Sequence, residues 1–339
     1  TSDIVSEIYR FKDQGDRELG LRYEFTFALA RFIGQNPQIK TPFKRYQIGP
    51  VFRDGPIKSG RYREFYQCDI DVVGAKQGMI DAEILAVVKD VFNNLDLDII
   101  IEINNRKLLN EIIVYCGISE EKANTIITTI DKLKKIGIDG VKKELLEKEI
   151  TEEQTTKLLL LLKEIQTGNN QQKIESLKEK LGDTQGLQEL ETLFTNLKIF
   201  KIEFEFNPTL ARGLGYYTGP ILEVFLKDQT IMSGSLAGGG RWDQMIGKYI
   251  GNDNLNLPAT GLAFGIEPIL EIIKKRDGLT KKTVANLLIV PIGDTLEKTI
   301  EITQNLRNKN KKIIVDLQKR NVSKNLDYAN KLGIPYVGF

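Results

Sequence analysis

The sequence predicts an α+β chain: an antiparallel sheet with flanking helices, interrupted by a helical insertion and followed by a small α/β unit. Three observations predict it. Residues 43–54 and 61–74 are two alternating runs joined by Gly55-Pro56-Ile57-Lys58-Ser59-Gly60, and Gly and Pro in a short connection between period-2 runs signal a hairpin. From about residue 118 to 197 the chain turns rich in Lys, Glu, Leu, Thr and Gln, with Phe194 its one aromatic residue. Beyond residue 285, strand-like and helix-like segments alternate, which implies a parallel sheet.

Taken in order, 26–33 reads as a compact helix after Leu21-Arg22-Tyr23-Glu24, and the hairpin follows. Residues 80–94 form a helix and 97–103 a strand. The helical stretch 118–197 is interrupted at Gly137, Gly140, Gly168 and Gly182. Its five leucines, Leu158 through Leu162, cover every side of a helix; burial between neighbouring helices and a partner-binding helix both fit such a run. Strand signals return at 200–206 and 219–227, followed by Gly-rich turns. The last unit reads strand 287–291, helix 294–308, strand 312–317, helix 323–332 and strand 334–338. The domain plan is therefore 1–117 with 198–275 as one domain, 118–197 inserted in it, a polar linker at 276–282, and a last domain at 283–339. A chain of 339 residues suits two or three domains at roughly 100–200 residues each.

Composition removes several chemistries. There is no histidine, so no Ser-His-Asp or Cys-His unit and no HExxH zinc site can exist. Cys68 and Cys116 are the only cysteines; they cannot supply an ordinary structural zinc site or a disulfide framework, and no protein-held metal is expected. Such cysteine usage fits a reducing cytoplasm. The net charge of +2 neither demands nor forbids nucleic acid. No run approaches the ~18–20 apolar residues of a membrane span, and residues 1–20 are too charged for a signal peptide. The expectation is a cytoplasmic protein with no membrane association. No initiator Met opens the chain and a strand-like apolar stretch, 334–339, closes it, so both ends are expected to be cut short.

Four segments carry the chemistry. Side chains alternate faces along a strand. The odd face of the second hairpin strand therefore bears Arg61, Arg63, Phe65, Gln67, Asp69 and Asp71, and the first strand adds Arg45, Gln47 and Arg53. Arginines suit phosphate oxygens, a ring suits stacking on a flat base, and amide plus carboxylate suit a cationic amine. A plain solvated face fits the same pattern. The second segment, Ala211-Arg212-Gly213-Leu214-Gly215-Tyr216-Tyr217-Thr218-Gly219, combines glycines that permit close backbone approach with Arg and Tyr tips; a Gly-rich turn with core tyrosines fits equally. The third, Ser233 through Asp243, places a glycine run before a helix, a weak cradle signal that matches neither a P-loop nor a dinucleotide fingerprint. The fourth, Thr260 through Leu270, reads as strand, tight turn and helix, with Glu267 at the helix start as a metal or cap carboxylate.

These four segments, in this order, resemble the signature blocks of the histidyl-tRNA synthetases, a class II aminoacyl-tRNA synthetase family. Val51-Phe52-Arg53 through Gln67 resembles class II motif 2, and Leu210-Ala211-Arg212-Gly213-Leu214 with Tyr216-Tyr217-Thr218-Gly219 resembles the histidine-specific block. Gly239-Gly240-Arg241 resembles the next block, 261–268 resembles motif 3, and Leu21 through Thr26 resembles the segment that reads the side chain. The resemblance covers nearly the whole chain and implies a class II catalytic domain with a C-terminal anticodon-binding-like α/β domain, partial here. It also implies a histidine–tRNA ligase. ATP and histidine would form histidyl-adenylate, Mg²⁺ being bound through the ATP, and the histidyl group would pass to tRNA(His). Arg53 and Arg212 would be catalytic, and Arg53, Arg61, Phe65 and Glu267 would bind ATP. Histidine would be held by Glu24, Thr26, Gln67, Asp71, Arg212, Tyr216, Tyr217 and Gly239. Within that set Glu24, Thr26 and Tyr217 would surround the imidazole, and Gln67 and Asp71 the α-amino group.

The departures are specific. The dimer-forming motif 1 would lie upstream of residue 1, and a homodimer is expected of the full-length protein. Gly55 and Gly215 stand where the family carries acidic residues, and Pro268 stands where motif 3 carries its arginine. The last domain is basic, with Lys311, Lys312, Lys319 and Arg320 expected to contact tRNA. The alternative is a non-catalytic, synthetase-like regulatory subunit of ATP phosphoribosyltransferase. Such subunits typically lack the final domain, and the α/β unit here favours the enzyme, as does the retained Arg212.

Overall fold

The computed structural model describes residues 3–57, 60–213, 215–252, 254–278 and 282–339. Lys58 and Ser59 of the hairpin connection, Leu214 of the second segment and 279–281 of the expected linker lie outside the described residues. The chain forms two compact units, Thr1–Ile272 and Ile273–Phe339.

The first unit begins with α1 (Asp3–Ser6) and a small antiparallel pair, β1 (Arg10–Lys12) and β2 (Glu18–Gly20). Then come α2 (Thr26–Gln35), β3 (Phe43–Phe52), β4 (Glu64–Val73), α3 (Met79–Asn94), β5 (Ile99–Asn105) and α4 (Arg106–Tyr115). A short 3-10 turn, Glu120–Lys122, opens the helical region: α5 (Ala123–Ile130), α6 (Leu133–Glu147), α7 (Glu152–Glu164), α8 (Asn170–Leu181) and α9 (Gln185–Ile199). The unit closes with β6 (Glu205–Phe206), β7 (Pro220–Leu226), β8 (Ser235–Arg241), α10 (Met245–Tyr249), β9 (Ala259–Gly265) and α11 (Ile266–Asp277), which runs into the second unit.

Seven strands make one sheet in the order β3-β4-β9-β8-β7-β5-β6, antiparallel except for the parallel β5·β6 pair. The hairpin is present in full register, from Phe43 opposite Val73 to Phe52 opposite Glu64. Its strands stop short of 53–54 and 61–63. Within the helical region, α7 and α8 start with capping boxes, Thr151 with Gln154 and Asn169 with Gln172. Gly137 breaks α6 at a positive φ of 71°. Leu158, Leu161 and Leu162 are buried and Leu160 points to solvent, so packing accounts for most of the leucine run.

Helix α3 lies on one face of the sheet, where Phe92 meets Phe264 at 5.9 Å between ring centroids. Arg241, buried at the end of β8, ties that helix down through Asp81 at 3.3 Å and also bonds Asp243 at 2.9 Å. A second apolar cluster, Leu29, Ala30, Ile33, Val73, Trp242, Met245, Ile246 and Ala259, fixes α2 and α10 to the sheet. One expectation is corrected here. The glycines at 238–240 are not a turn before a helix: they sit in β8, inside the sheet. A Cβ on Gly239 would overlap the Gly261 carbonyl oxygen, and one on Gly240 would crowd the Pro220 carbonyl, so close strand packing is what demands glycine there.

The second unit contains β10 (Leu287–Ile289), α12 (Leu296–Asn308), β11 (Ile313–Val315), α13 (Val322–Leu332) and β12 (Tyr336–Gly338). Its sheet is parallel in the order β11-β10-β12, as alternation of strand and helix requires. Ala285, Leu288, Val290, Ala329 and Ile334 form its own core.

Candidate active site

Strand β4 orders the site. Cys68 pairs with Phe264 on the α3 side, so Gln67, Asp69 and Asp71 point to the opposite face. There all three are buried. The polar face of the hairpin is therefore the covered one, and the solvated-face reading does not hold for β4. Conversely, the apolar face is partly open: Tyr46 is 76% exposed and Ile48 60% exposed, with Tyr66 beside them.

Two cavities meet on this polar face. The larger, about 550 Å³, has Tyr23, Arg53, Arg61, Phe65, Arg212 and Pro268 in its walls. The smaller, about 40 Å³, is walled by Glu24, Thr26, Asp69, Asp71, Tyr216 and Tyr217. Arg53, Gln67, Arg212, Gly238 and Ala263 belong to both, so the two spaces adjoin. Gly239 lies in the wall of the smaller one. Gly238 lets Arg212 lie against β8, since a Cβ there would collide with the guanidinium.

Local folding explains each position. Glu24 accepts the backbone N–H groups of Thr26 at 3.0 Å and Phe27 at 2.7 Å, the first donors of α2, so its carboxylate fixes the helix start beside the cavity. Asp71 binds Arg45 through Nε at 3.0 Å and Nη2 at 2.9 Å. Arg45 also bonds Gln47 and the Phe25 carbonyl. Arg53 lies 4.4 Å from the Tyr23 ring centroid and 5.1 Å from that of Phe65, within cation–π range. Arg212 donates to Glu223 at 3.0 Å. Burial works against the Arg212 charge, but Tyr217 and Glu223 beside it raise its pKa above the usual arginine value.

The acids respond to confinement. Burial is the main cause that pushes Asp69 up to about 8, with Asp71 and Glu24 adding to it and Arg45 and Arg53 opposing. Burial likewise raises Asp71 to about 6 against the pull of Arg45. Asp131, between α5 and α6, lines the larger cavity and is raised by burial to about 6, opposed chiefly by Arg212.

The structure brings Arg53, Arg61, Phe65, Gln67 and Arg212 to the larger cavity and the remaining amino-acid-binding candidates to the smaller. Glu267 is the exception: it is absent from both walls, and its two oxygens accept the Tyr66 N–H at 2.8 and 2.9 Å. From the start of α11 it anchors the beginning of β4. Pro268 occupies the first turn of α11, where its missing N–H costs nothing, and its ring forms part of the larger wall. In the second unit Lys311, Lys312 and Lys319 are exposed, whereas Arg320 bonds Asp316 at 3.2 Å and lies 4.4 Å from the Tyr328 ring.

Sequence reasoning gave no binding role to Tyr23, Asp69, Asp131, Glu223 or Trp242, which also line these spaces. Asp69 shares the alternation of Gln67 and Asp71 and was open to the same argument. Nothing in the pattern of the helical insertion ties Asp131 to the hairpin.

The histidyl-tRNA synthetase family model matches residues 1–269. The chain is 42% identical over 345 aligned residues to histidine–tRNA ligase 1 of Bacillus cereus, covering 99% of this chain and 78% of that one. A solved histidyl-tRNA synthetase from Nostoc sp. PCC 7120 superposes with a TM-score of 0.73 at 31% identity, covering 96% of this chain and 77% of the other. A Bacillus halodurans structure described as an ATP phosphoribosyltransferase regulatory subunit/histidyl-tRNA synthetase has the same fold, with a TM-score of 0.73 at 17% identity, covering 98% and 82%.

Proposed function

Because the chain belongs to the histidyl-tRNA synthetase family, and with it to the aminoacyl-tRNA ligases, we propose that it joins histidine to ATP as histidyl-adenylate and then charges tRNA(His). The observation that carries this reading is the junction of the two cavities at Arg53 and Arg212. A nucleotide in the larger space and an amino acid in the smaller would meet there, carboxylate against α-phosphate. The carboxylate oxygen attacks phosphorus, the bond to the β-phosphate oxygen breaks, and pyrophosphate leaves. Two fixed cations at that point stabilise the charge that builds on the phosphorus oxygens, and the cavity walls hold the reactants in line. In the second step a ribose hydroxyl of tRNA attacks the acyl carbon and AMP departs.

Phe65 offers a ring to adenine, and Arg61 a charge to the outer phosphates. Gln67, Asp71, Thr26, Glu24, Tyr216, Tyr217 and Gly239 enclose histidine. Glu267 acts at one remove, by holding Tyr66. Among the described residues no group of three or more His, Cys, Asp or Glu could hold a metal ion; Mg²⁺ would arrive on the ATP phosphates. Lys311, Lys312 and Lys319 supply a basic surface for tRNA phosphates. The open apolar face of β3 and β4 supports a homodimer. No helix of the described residues is long and apolar enough to cross a membrane, and the cysteine usage supports a cytoplasmic location.

The test is histidine-dependent ATP–pyrophosphate exchange, followed by charging of tRNA. Exchange with histidine and none with leucine is expected, and Arg212→Ala should lower single-turnover adenylate formation about 10²–10³-fold at saturating histidine. A protein that binds histidine yet never forms adenylate would instead be the regulatory, non-catalytic subunit.

A further inference from the structure

Resting on that reading of the smaller cavity, we propose that Asp69 is a substrate-recognition residue: its free carboxylate oxygen hydrogen-bonds a ring nitrogen of the bound imidazole and selects histidine over side chains of the same shape.

Asp69 is 3% exposed, and its Oδ1 has no hydrogen-bond partner. Buried polar atoms are almost always paired, so an orphan in a cavity wall marks the place of a ligand group. Among the neighbouring side chains, Gln67 Oε1 shares this state. The other acids of the cavity are engaged: both Glu24 oxygens accept backbone N–H groups, and Asp71 Oδ2 is held by Arg45.

Position along β4 says which part of the substrate Asp69 meets. Phe65 lines the larger cavity alone, Gln67 lines both, and Asp69 lines the smaller alone. Consecutive same-face residues lie roughly 6.5 Å apart on a strand. With the carboxylate end at Arg53 and Arg212, Gln67 stands level with the α-carbon. Asp69 is one step further in, at the depth of the side-chain ring.

The charged groups around Asp69 are Asp71 on its own strand, Glu24 before α2, Arg45 on β3 and Arg53 beyond it. Directly opposite in register are the neutral Gln47 on β3 and Ala263 on β9. With its pKa raised to about 8, the carboxyl holds a proton in the empty cavity near neutral pH. Carboxyl and imidazole together then carry that proton between oxygen and ring nitrogen, and either position leaves one hydrogen bond between them. A site built around such a bond rejects a ligand that cannot make it, because its own polar atom is left unpaired.

The test compares histidine with thienylalanine, which keeps a five-membered ring and lacks ring nitrogen, by calorimetry on the full chain. Asp69→Leu keeps the branched shape and removes the hydrogen bond. It should weaken histidine binding about 10–150-fold, leave ATP affinity within about threefold, and leave thienylalanine binding unweakened or tightened, since the polar atom that this ligand leaves unpaired is gone; Asp69→Asn should restore most of the preference. Asp69→Ala gives the same comparison if leucine is not accommodated. An unchanged preference for histidine in the Leu or Ala variant overturns the assignment, as does equal weakening of both amino acids. If the unmodified protein itself shows no preference for histidine, the reading of the cavity falls and takes the assignment with it.

Discussion

Ionising a carboxyl that is buried without a partner costs a protein more stability than burying it neutral, so Asp69 should leave a pH-dependent mark on stability as well as on binding. Its folded-state pKa, about 8, lies above the ordinary value of 3.8. Between those values the folded protein binds more protons than the unfolded one, and stability falls as pH rises. The cost is absent below about pH 4 and complete above about pH 8. Asp69→Asn, which cannot ionise, should therefore melt higher than the parent at pH 9 and at the same temperature at pH 4. A melting difference that does not change with pH would mean that Asp69 is not held neutral in the folded site. The alternation of the second hairpin strand places this residue on the same face as Gln67 and Asp71. Its isolation from hydrogen-bond partners is not legible there, because that depends on Arg45 choosing Asp71 and on two backbone N–H groups choosing Glu24.

Among the elements, β8 shows how a weak motif acquires a definite meaning. A glycine run permits a turn, a cradle or a tight strand with equal ease. Here β8 is flanked by β7 and β9, and its backbone is approached by Arg212 on one side and by neighbouring carbonyls elsewhere. The atoms facing Gly239 belong to the β9 backbone, which has no side chain to move aside. Gly239→Ala should cost at least about 1–3 kcal/mol of stability, read as a lower denaturant midpoint with unchanged slope. A midpoint equal to the parent's would show that β9 yields and that the glycine serves the ligand alone. Helix α11 makes a related point about Glu267: at a helix start it had a metal, cap or ligand reading, and proximity to the Tyr66 N–H decided among them.

At the scale of the molecule, both cavities are built within Thr1–Ile272, and the second unit has its own sheet and core. Deleting 283–339 should therefore leave pyrophosphate exchange within about threefold while tRNA charging falls by more than about tenfold, as expected where basic residues supply the affinity for nucleic acid. Parallel loss of both activities in a folded fragment would tie the second unit to the chemistry. The sequence by itself determined the hairpin, the helical insertion, the parallel last sheet and the family, because these rest on local periodicity, turn residues and short ordered motifs. Only the tertiary structure decided which hairpin face is buried, that the glycine run is a strand, that Glu267 faces a backbone amide, and that Asp131 reaches the larger cavity. Each of these depends on which distant segment packs alongside, and a side chain's partner across the sheet leaves no periodic trace in its own neighbourhood.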